Sequence, residues 1–309
     1  MSIPAAPSVA PSATRPGSRQ LRVAFVGDAA RLDGCTPTLQ ESGLTPCRIE
    51  LEMGMDLACV VADVRSARPD VTVVFDPACV PAEVLRELPG TTLGLHPRAA
   101  VDANLRTVAG SLDRVASFFP SLTGERAGEA TIWRAIPPPV SDAIYADVRR
   151  PRTAMHAMTI GRSTDLRERV LLKAKHHHDL LQVVHGLSGE PLIELLCEYD
   201  IGVYVAPWPG GAFGAQIGLH LAAGQLLLTH APTPAHGLER NIDYLHFDSA
   251  DGLVWTLDRL QRFPEMYHRI RVRGRLKAEN FRASRVFARL AHDLLADVQA
   301  FGSPRSAAG

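Results

Sequence analysis

Ile201–Phe247 reads IGVYVAPWPGGAFGAQIGLHLAAGQLLLTHAPTPAHGLERNIDYLHF. IGVYVAP is a short apolar run, AFGAQIGLHLAAG a short helix ending at Gly224, QLLLTH a second apolar run, and DYLHF a third. Strands that are apolar throughout are covered on both faces, and a helix between two of them is the crossover that parallel pairing requires. This stretch therefore predicts part of a parallel α/β sheet, with a glycine-rich loop between a strand and a helix start.

The same alternation extends in both directions. Upstream, AMHAMTIGR reads as strand, TDLRERVLLKAKHH as helix, DLLQVVHG as strand and EPLIELLCEYD as helix; downstream, at least two helices run to about residue 300. Further back, IPPPVSD (Ile136 to Asp142) holds three consecutive prolines, which neither continue a helix nor donate to a sheet, so it marks a stiff connector. Before it, LRVAFVGD, VTVVFD and TTLGLH read as buried strands and DLACVVADVRSARP and PAEVLREL as helices, with RVASFF and TIWRAI as two further strands. The expected fold class is α/β: two Rossmann-like doubly wound domains facing a cleft, residues 21–137 and 138–300. A disordered tail over 1–20 and a flexible tail over 301–309 flank them. Such sheets bind ligands at the carboxyl ends of their strands.

Composition narrows the function. The 309 residues are 46% apolar and 21% charged, as in an ordinary globular protein. Lys plus Arg equals Asp plus Glu at 33 each, so no global field draws in nucleic acid. Cys35, Cys47, Cys59, Cys79 and Cys197 form no C-x-x-C pair, which argues against a disulfide framework or zinc knuckle and for a reducing cytoplasm. No apolar run reaches the length of a transmembrane segment.

Most catalytic signatures are missing. The first strand ends VGDAARLDG without G-x-G-x-x-G, and neither a P-loop, H-E-x-x-H nor G-x-S-x-G occurs. Gly27 either admits a ligand to the backbone or simply makes a tight turn. His176, His177 and His178 are consecutive on a helix, point about 100° apart and cannot converge on one metal ion. Glu194 and Glu198 lie four apart, as on a solvated helix face.

The glycine-rich stretch carries a family resemblance. Residues 201–247, HLAAGQLLLTHAPTPAHGLERNIDYLHF above all, resemble the carboxyl-terminal domain of GT-B glycosyltransferases (glycosyl transferases group 1), in particular the bacterial branch akin to spore-maturation glycosyltransferases. The likeness runs from about residue 138 to 300, with vaguer agreement in the first domain. It implies a nucleotide-diphosphate sugar as donor substrate, no bound cofactor or metal, and a sugar, lipid-linked or small-molecule acceptor. Gly210, Gly211, Phe213 and Gly214 would offer backbone N–H groups and a helix N-terminus to the diphosphate. The resemblance also implies a basic pair: Arg162, just after a strand, with Arg167, Lys173 or Lys175 as companion. His236, Gly237 and Glu239 lie in the loop that the family sets near the donor.

The departures are informative too. Many relatives carry Glu, seven residues, then Glu, at positions that here read Gly211 and Leu219. Leucine accepts no ribose hydrogen bond, so Gln216 or His220 would have to take over donor recognition. His96, at the end of TTLGLH, is the candidate for contact with acceptor or donor sugar. VRGRLKAENFRASRVFARLAHDLLADV (Val272 to Val298), basic then amphipathic, is expected to be the terminal helix that crosses back onto the first domain. The expected function is glycosyl transfer; a noncatalytic scaffold binding a carbohydrate, nucleotide or protein partner is the alternative.

Overall fold

The computed structural model describes residues 20–27, 32–51, 55–145, 152, 154–184, 187–206, 213–303 and 305. The first domain runs β1 (Leu21–Val26), α1 (Thr36–Glu41), β2 (Leu44–Ile49), α2 (Leu57–Ala67), β3 (Val71–Phe75), α3 (Ala82–Glu87), β4 (Thr91–His96), α4 (Ala103–Val108), β5 (Arg114–Ser117), β6 (Arg126–Ala127) and β7 (Ala130–Ala135). Its sheet order is β2-β1-β3-β4-β5-β7-β6, parallel except for the β6–β7 hairpin. Val23 and Phe25 of β1 enter one core layer, Ala24 and Val26 the other. Both faces are covered, which is why the run has no polar side.

α1 and β2 are absent from the strand and helix runs expected from the sequence, because Pro37 and Pro46 interrupt them. Pro37 sits in the first turn of α1, where no N–H is needed, and Pro46 lies in β2 at the sheet edge, where a missing donor is tolerated. RVASFF and TIWRAI contribute β5 and β7 as expected.

The second domain comprises β8 (Ala157–Ile160), α5 (Asp165–His177), β9 (Leu180–Val183), α6 (Gly189–Glu198), β10 (Ile201–Tyr204), α7 (Ala215–Ala222), β11 (Leu226–Thr229), β12 (Leu245–His246), α8 (Ala250–Arg262) and α9 (His268–Ala278). Its order, β12-β11-β10-β8-β9, is parallel throughout. The last helix, α10 (Ala283–Phe301), returns to the first domain, where Phe287, Leu290 and Leu294 join the core. Phe287 stands 5.1 Å edge-on to Phe25, and Arg114–Asp297 (2.6 Å) and Arg134–Asp293 (2.7 Å) tie the helix down.

The chain thus crosses between domains twice, and the crossings run side by side. Val140 N–H donates to Phe281 O and Ala283 N–H to Val140 O, both at 2.8 Å. Beside them buried Asp142 accepts from Ser284 N (3.0 Å), Ser284 Oγ (2.6 Å) and Cys35 Sγ (3.2 Å). Burial pushes the Cys35 thiol up to about 12, so this cysteine is a structural donor rather than a nucleophile. No helix among the described residues is long and apolar enough to cross a membrane.

Candidate functional site

The carboxyl ends of β8 and β10 meet at one side chain. β8 runs into Gly161, whose φ of +129° favours glycine, and a Cβ there would stand 2.2 Å from Arg167 Nη1. The space belongs to the Arg167 guanidinium, which donates through Nε to Val205 O (2.7 Å) and through Nη1 to Arg162 O (2.9 Å). It also lies 5.8 Å from the Tyr204 ring centre. Arg167 is buried, and desolvation pushes its pKa down. Its role here is to bind two strand ends together.

The neighbouring Arg162 differs. It is exposed and has no ion-pair or hydrogen-bond partner for its side chain among the described residues. Next to this corner, Gly214 precedes α7 with no side-chain cap, and a Cβ on it would fall 2.4 Å from the Tyr204 hydroxyl. The close approach of Tyr204 demands glycine, and among the described residues no side chain caps the first turn of α7. Gln216 lies in that first turn, half-buried. Gly210 and Gly211 fall outside the described residues.

Phe213 anchors the helix start. It is buried, its N–H donates to Thr233 O (3.1 Å), and its ring packs 5.1 Å from Phe281 and 4.9 Å edge-on to His236. His236 adopts a φ of +46°, its Nε2 has no partner among the described residues, and burial lowers its pKa, which favours the neutral ring. Gly237 follows at φ +81° in open space. Glu239 is exposed, its N–H donating to Asp243 Oδ2 (3.0 Å). Thus Arg162, Arg167, Phe213, Gly214, Gln216 and His236 come to one neighbourhood.

Other candidates lie elsewhere. His220 is fully buried; its Nδ1–H donates to Gln225 Oε1 (2.6 Å), whose amide nitrogen donates to Leu196 O (2.8 Å). Gly202 makes room for this ring, since a Cβ there would be 2.3 Å from His220 Cγ. Burial pushes the imidazole down to about 4, so His220 is a neutral core group tying α7 to α6. Lys173 pairs with Asp251 at the start of α8, and Lys175 bonds Gln182. His96 ends β4 with no exposed surface; its Nε2–H donates to Ala100 O (2.8 Å). Gly27 (φ +116°) faces Phe75, whose Cβ would be 3.0 Å from an added methyl.

A cavity of about 240 Å³ opens between α6, α7 and the interdomain connector. Leu192, Ile193, Leu219 and Ile144 form its apolar walls, and Ser188, Ser141 and Asp33 supply polar atoms. Leu219 is the position at which the resemblance leads one to expect a glutamate. The cavity's remaining residues escape a reading by motif because they come from four separate segments: the loop at Asp33, the connector, the start of α6 and α7. Among the described residues no group of His, Cys, Asp and Glu has the arrangement to hold a metal ion.

Neither a family model nor a curated protein sequence matches the chain. Solved structures do. A glycosyltransferase from Rickettsia africae is 13% identical with a TM-score of 0.60, spanning 90% of this chain and 99% of its own. AviGT4, a glycosyltransferase involved in avilamycin A biosynthesis, is 12% identical with a TM-score of 0.56, spanning 91% and 98%. The Anabaena protein HepE, solved in complex with UDP-glucose, is 10% identical with a TM-score of 0.52, spanning 90% and 100%. At this identity the likeness concerns the fold: two α/β parallel-sheet domains, as in GT-B glycosyltransferases.

Proposed function

We propose that this chain is a cytoplasmic bacterial glycosyltransferase, of the spore-maturation-like branch, that transfers a sugar from a nucleoside diphosphate to an acceptor hydroxyl. The observation that carries it is Arg162, whose side chain is unpaired among the described residues, beside the start of α7, which no described side chain caps: two sources of positive potential at the strand ends of a GT-B fold. The diphosphate sits there, Arg167 holding the corner in shape. The nucleoside lies in the apolar cavity under Leu219. The bond between the sugar and the diphosphate breaks, the acceptor oxygen forms the new glycosidic bond, and its proton leaves on the departing diphosphate. Arginine and helix dipole stabilise the charge growing on that leaving group without a metal. None of the five cysteines is joined in a disulfide, which agrees with a reducing compartment.

UDP is the first ligand to test, since HepE is seen with it. Calorimetric titration of UDP, GDP, TDP and ADP should find one base that binds, and its sugar conjugate should be turned over. Arg162→Ala should weaken that binding by about 1.5–3 kcal/mol, roughly ten- to hundredfold, with the melting temperature unchanged. No binding by any of the four would sink the reading. Binding without turnover favours the noncatalytic scaffold, a reading motivated by Leu219 in the cavity wall.

A further inference from the structure

A second cavity, of about 400 Å³, lies between the domains on the side of His236. Arg134 of β7 enters it from the first domain, Arg285 and Arg289 from the first turns of α10, and Asn280 from the segment before that helix. His236 closes it toward the loop that holds Phe213, so this cavity and the start of α7 share a wall.

The arginines are incompletely matched. Arg134 meets Asp293 through Nη1 (2.7 Å), Arg289 meets the same carboxylate through Nε (3.6 Å), and Arg285 meets Glu279 through Nη2 (3.3 Å). Each guanidinium has five N–H donors and here commits one nitrogen. Asp293 is shared by two arginines, and Glu279 also serves Arg275 and Arg282. Arg285, in the first turn of α10, also opposes the helix dipole, since the positive end lies there. A basic cluster with one member placed against the dipole, facing a cavity, with donors to spare, has the chemistry of an anion site. Guanidinium forks match the oxygens of a phosphate group in particular.

We infer that this cavity binds a phosphate group carried by the acceptor, which makes the acceptor of the transfer a phosphorylated molecule. The inference rests on the proposed transferase reading, because His236 joins the cavity to the donor loop. Arg134, Arg285 and Arg289 hold the phosphate, and the acceptor's hydroxyl extends past His236 toward the start of α7.

The test uses the full chain saturated with UDP, so that the diphosphate site is filled, titrated with inorganic phosphate and separately with glucose 6-phosphate. Both should bind, the sugar phosphate more tightly, and glucose itself should not. The double variant Arg285→Ala/Arg289→Ala should lose roughly ten- to hundredfold in affinity for both, the loss expected for charge-assisted hydrogen bonds, with UDP affinity unchanged. Asp293→Asn, which releases Arg134 and Arg289, should tighten both. Phosphate binding that survives the double variant, or that UDP abolishes, overturns the site. Phosphate binding tighter than the sugar phosphate overturns the acceptor assignment in favour of free phosphate. Should UDP fail to bind at all, the transferase reading fails separately, and the same phosphate titrations on unliganded protein still judge the cavity.

Discussion

The two sheets end differently at their carboxyl edges. In the first domain the charged side chains there are paired within the chain, although the buried Asp76 Oδ1 and His96 Nδ1 have no hydrogen-bond partner among the described residues. Arg98 is held by Asp76 (2.8 Å) and by Asp102, Asp102 also caps α4 by accepting from Leu105 N (2.8 Å), and His96 is covered completely. In the second domain one arginine, Arg167, is committed to backbone carbonyls, whereas the Arg162 side chain has no partner among the described residues and α7 begins without a side-chain cap among them. An edge whose charges are internally satisfied gains little from an anion. An edge with one anchored and one uncommitted cation is organised to receive one. On the proposed function, the shared topology is finished as scaffold in one domain and as binding surface in the other.

The sharpest way to break this comparison is to truncate the anchored arginine of each edge. Arg167→Ala leaves the carbonyls of Val205 and Arg162 without their donor in a buried setting, at about 1–3 kcal/mol for each group, so a loss near 3 kcal/mol is expected in urea melts at pH 7. Arg98→Ala removes half-exposed ion pairs and should cost under about 1 kcal/mol. Equal losses in the two variants would mean that Arg167 does not organise the second edge.

The buried imidazole behind that edge offers a second, pH-dependent contrast. His220 is pushed down to about 4 by burial, below its ordinary value near 6.5, so the folded state resists a proton that the unfolded chain takes up. Stability contributed by neutral His220 is full above pH 6.5, falls as pH drops toward 4, and then levels off once the native ring also protonates. The loss amounts to about 3 kcal/mol over that window. His220→Gln, which keeps a polar partner for Gln225, should flatten the pH dependence of unfolding between pH 6.5 and 4. An unchanged slope in the variant would show that His220 is not the titrating group.

How much of this was legible in the sequence depended on what each residue reports. Continuous apolar runs such as VTVVFD, TTLGLH, IGVYVAP and QLLLTH announce strands covered on both faces, and each forms one. β2 was hidden by Pro46, which only its place at the sheet edge makes acceptable. Arg162 and Gly214 were candidates because of the family resemblance, and the structure sets both at strand–loop–helix junctions. Spacing along one element does not say which neighbour a side chain meets. That is why Lys173 was a candidate yet meets Asp251, and why His220 was a candidate yet fills the space that Gly202 leaves. The arginine cavity has no linear signature, since Arg134 comes from a strand far upstream of Arg285 and Arg289.

The smallest expected effect concerns Leu219, where the resemblance leads one to expect a carboxylate. Leu219 lines the cavity with Leu192 and Ile193, and its apolar side chain offers no acceptor to a ribose hydroxyl. If the nucleoside lies there, Leu219→Glu should strengthen UDP binding by about 1 kcal/mol, the net worth of one hydrogen bond, part of it offset by drawing a carboxylate into apolar surroundings. The discriminating measurement pairs UDP with its 2′,3′-dideoxy analogue. The natural protein should bind the two alike, because nothing at this position senses the hydroxyls, while the variant should prefer UDP by a few-fold, the scale of a single hydrogen bond. A natural protein that already discriminates between them would move ribose recognition to another group, with Gln216 in the first turn of α7 the next to substitute. A variant that gains no preference would move the nucleoside out of this cavity, leaving Arg162 and the helix start as the only contacts the donor reading retains.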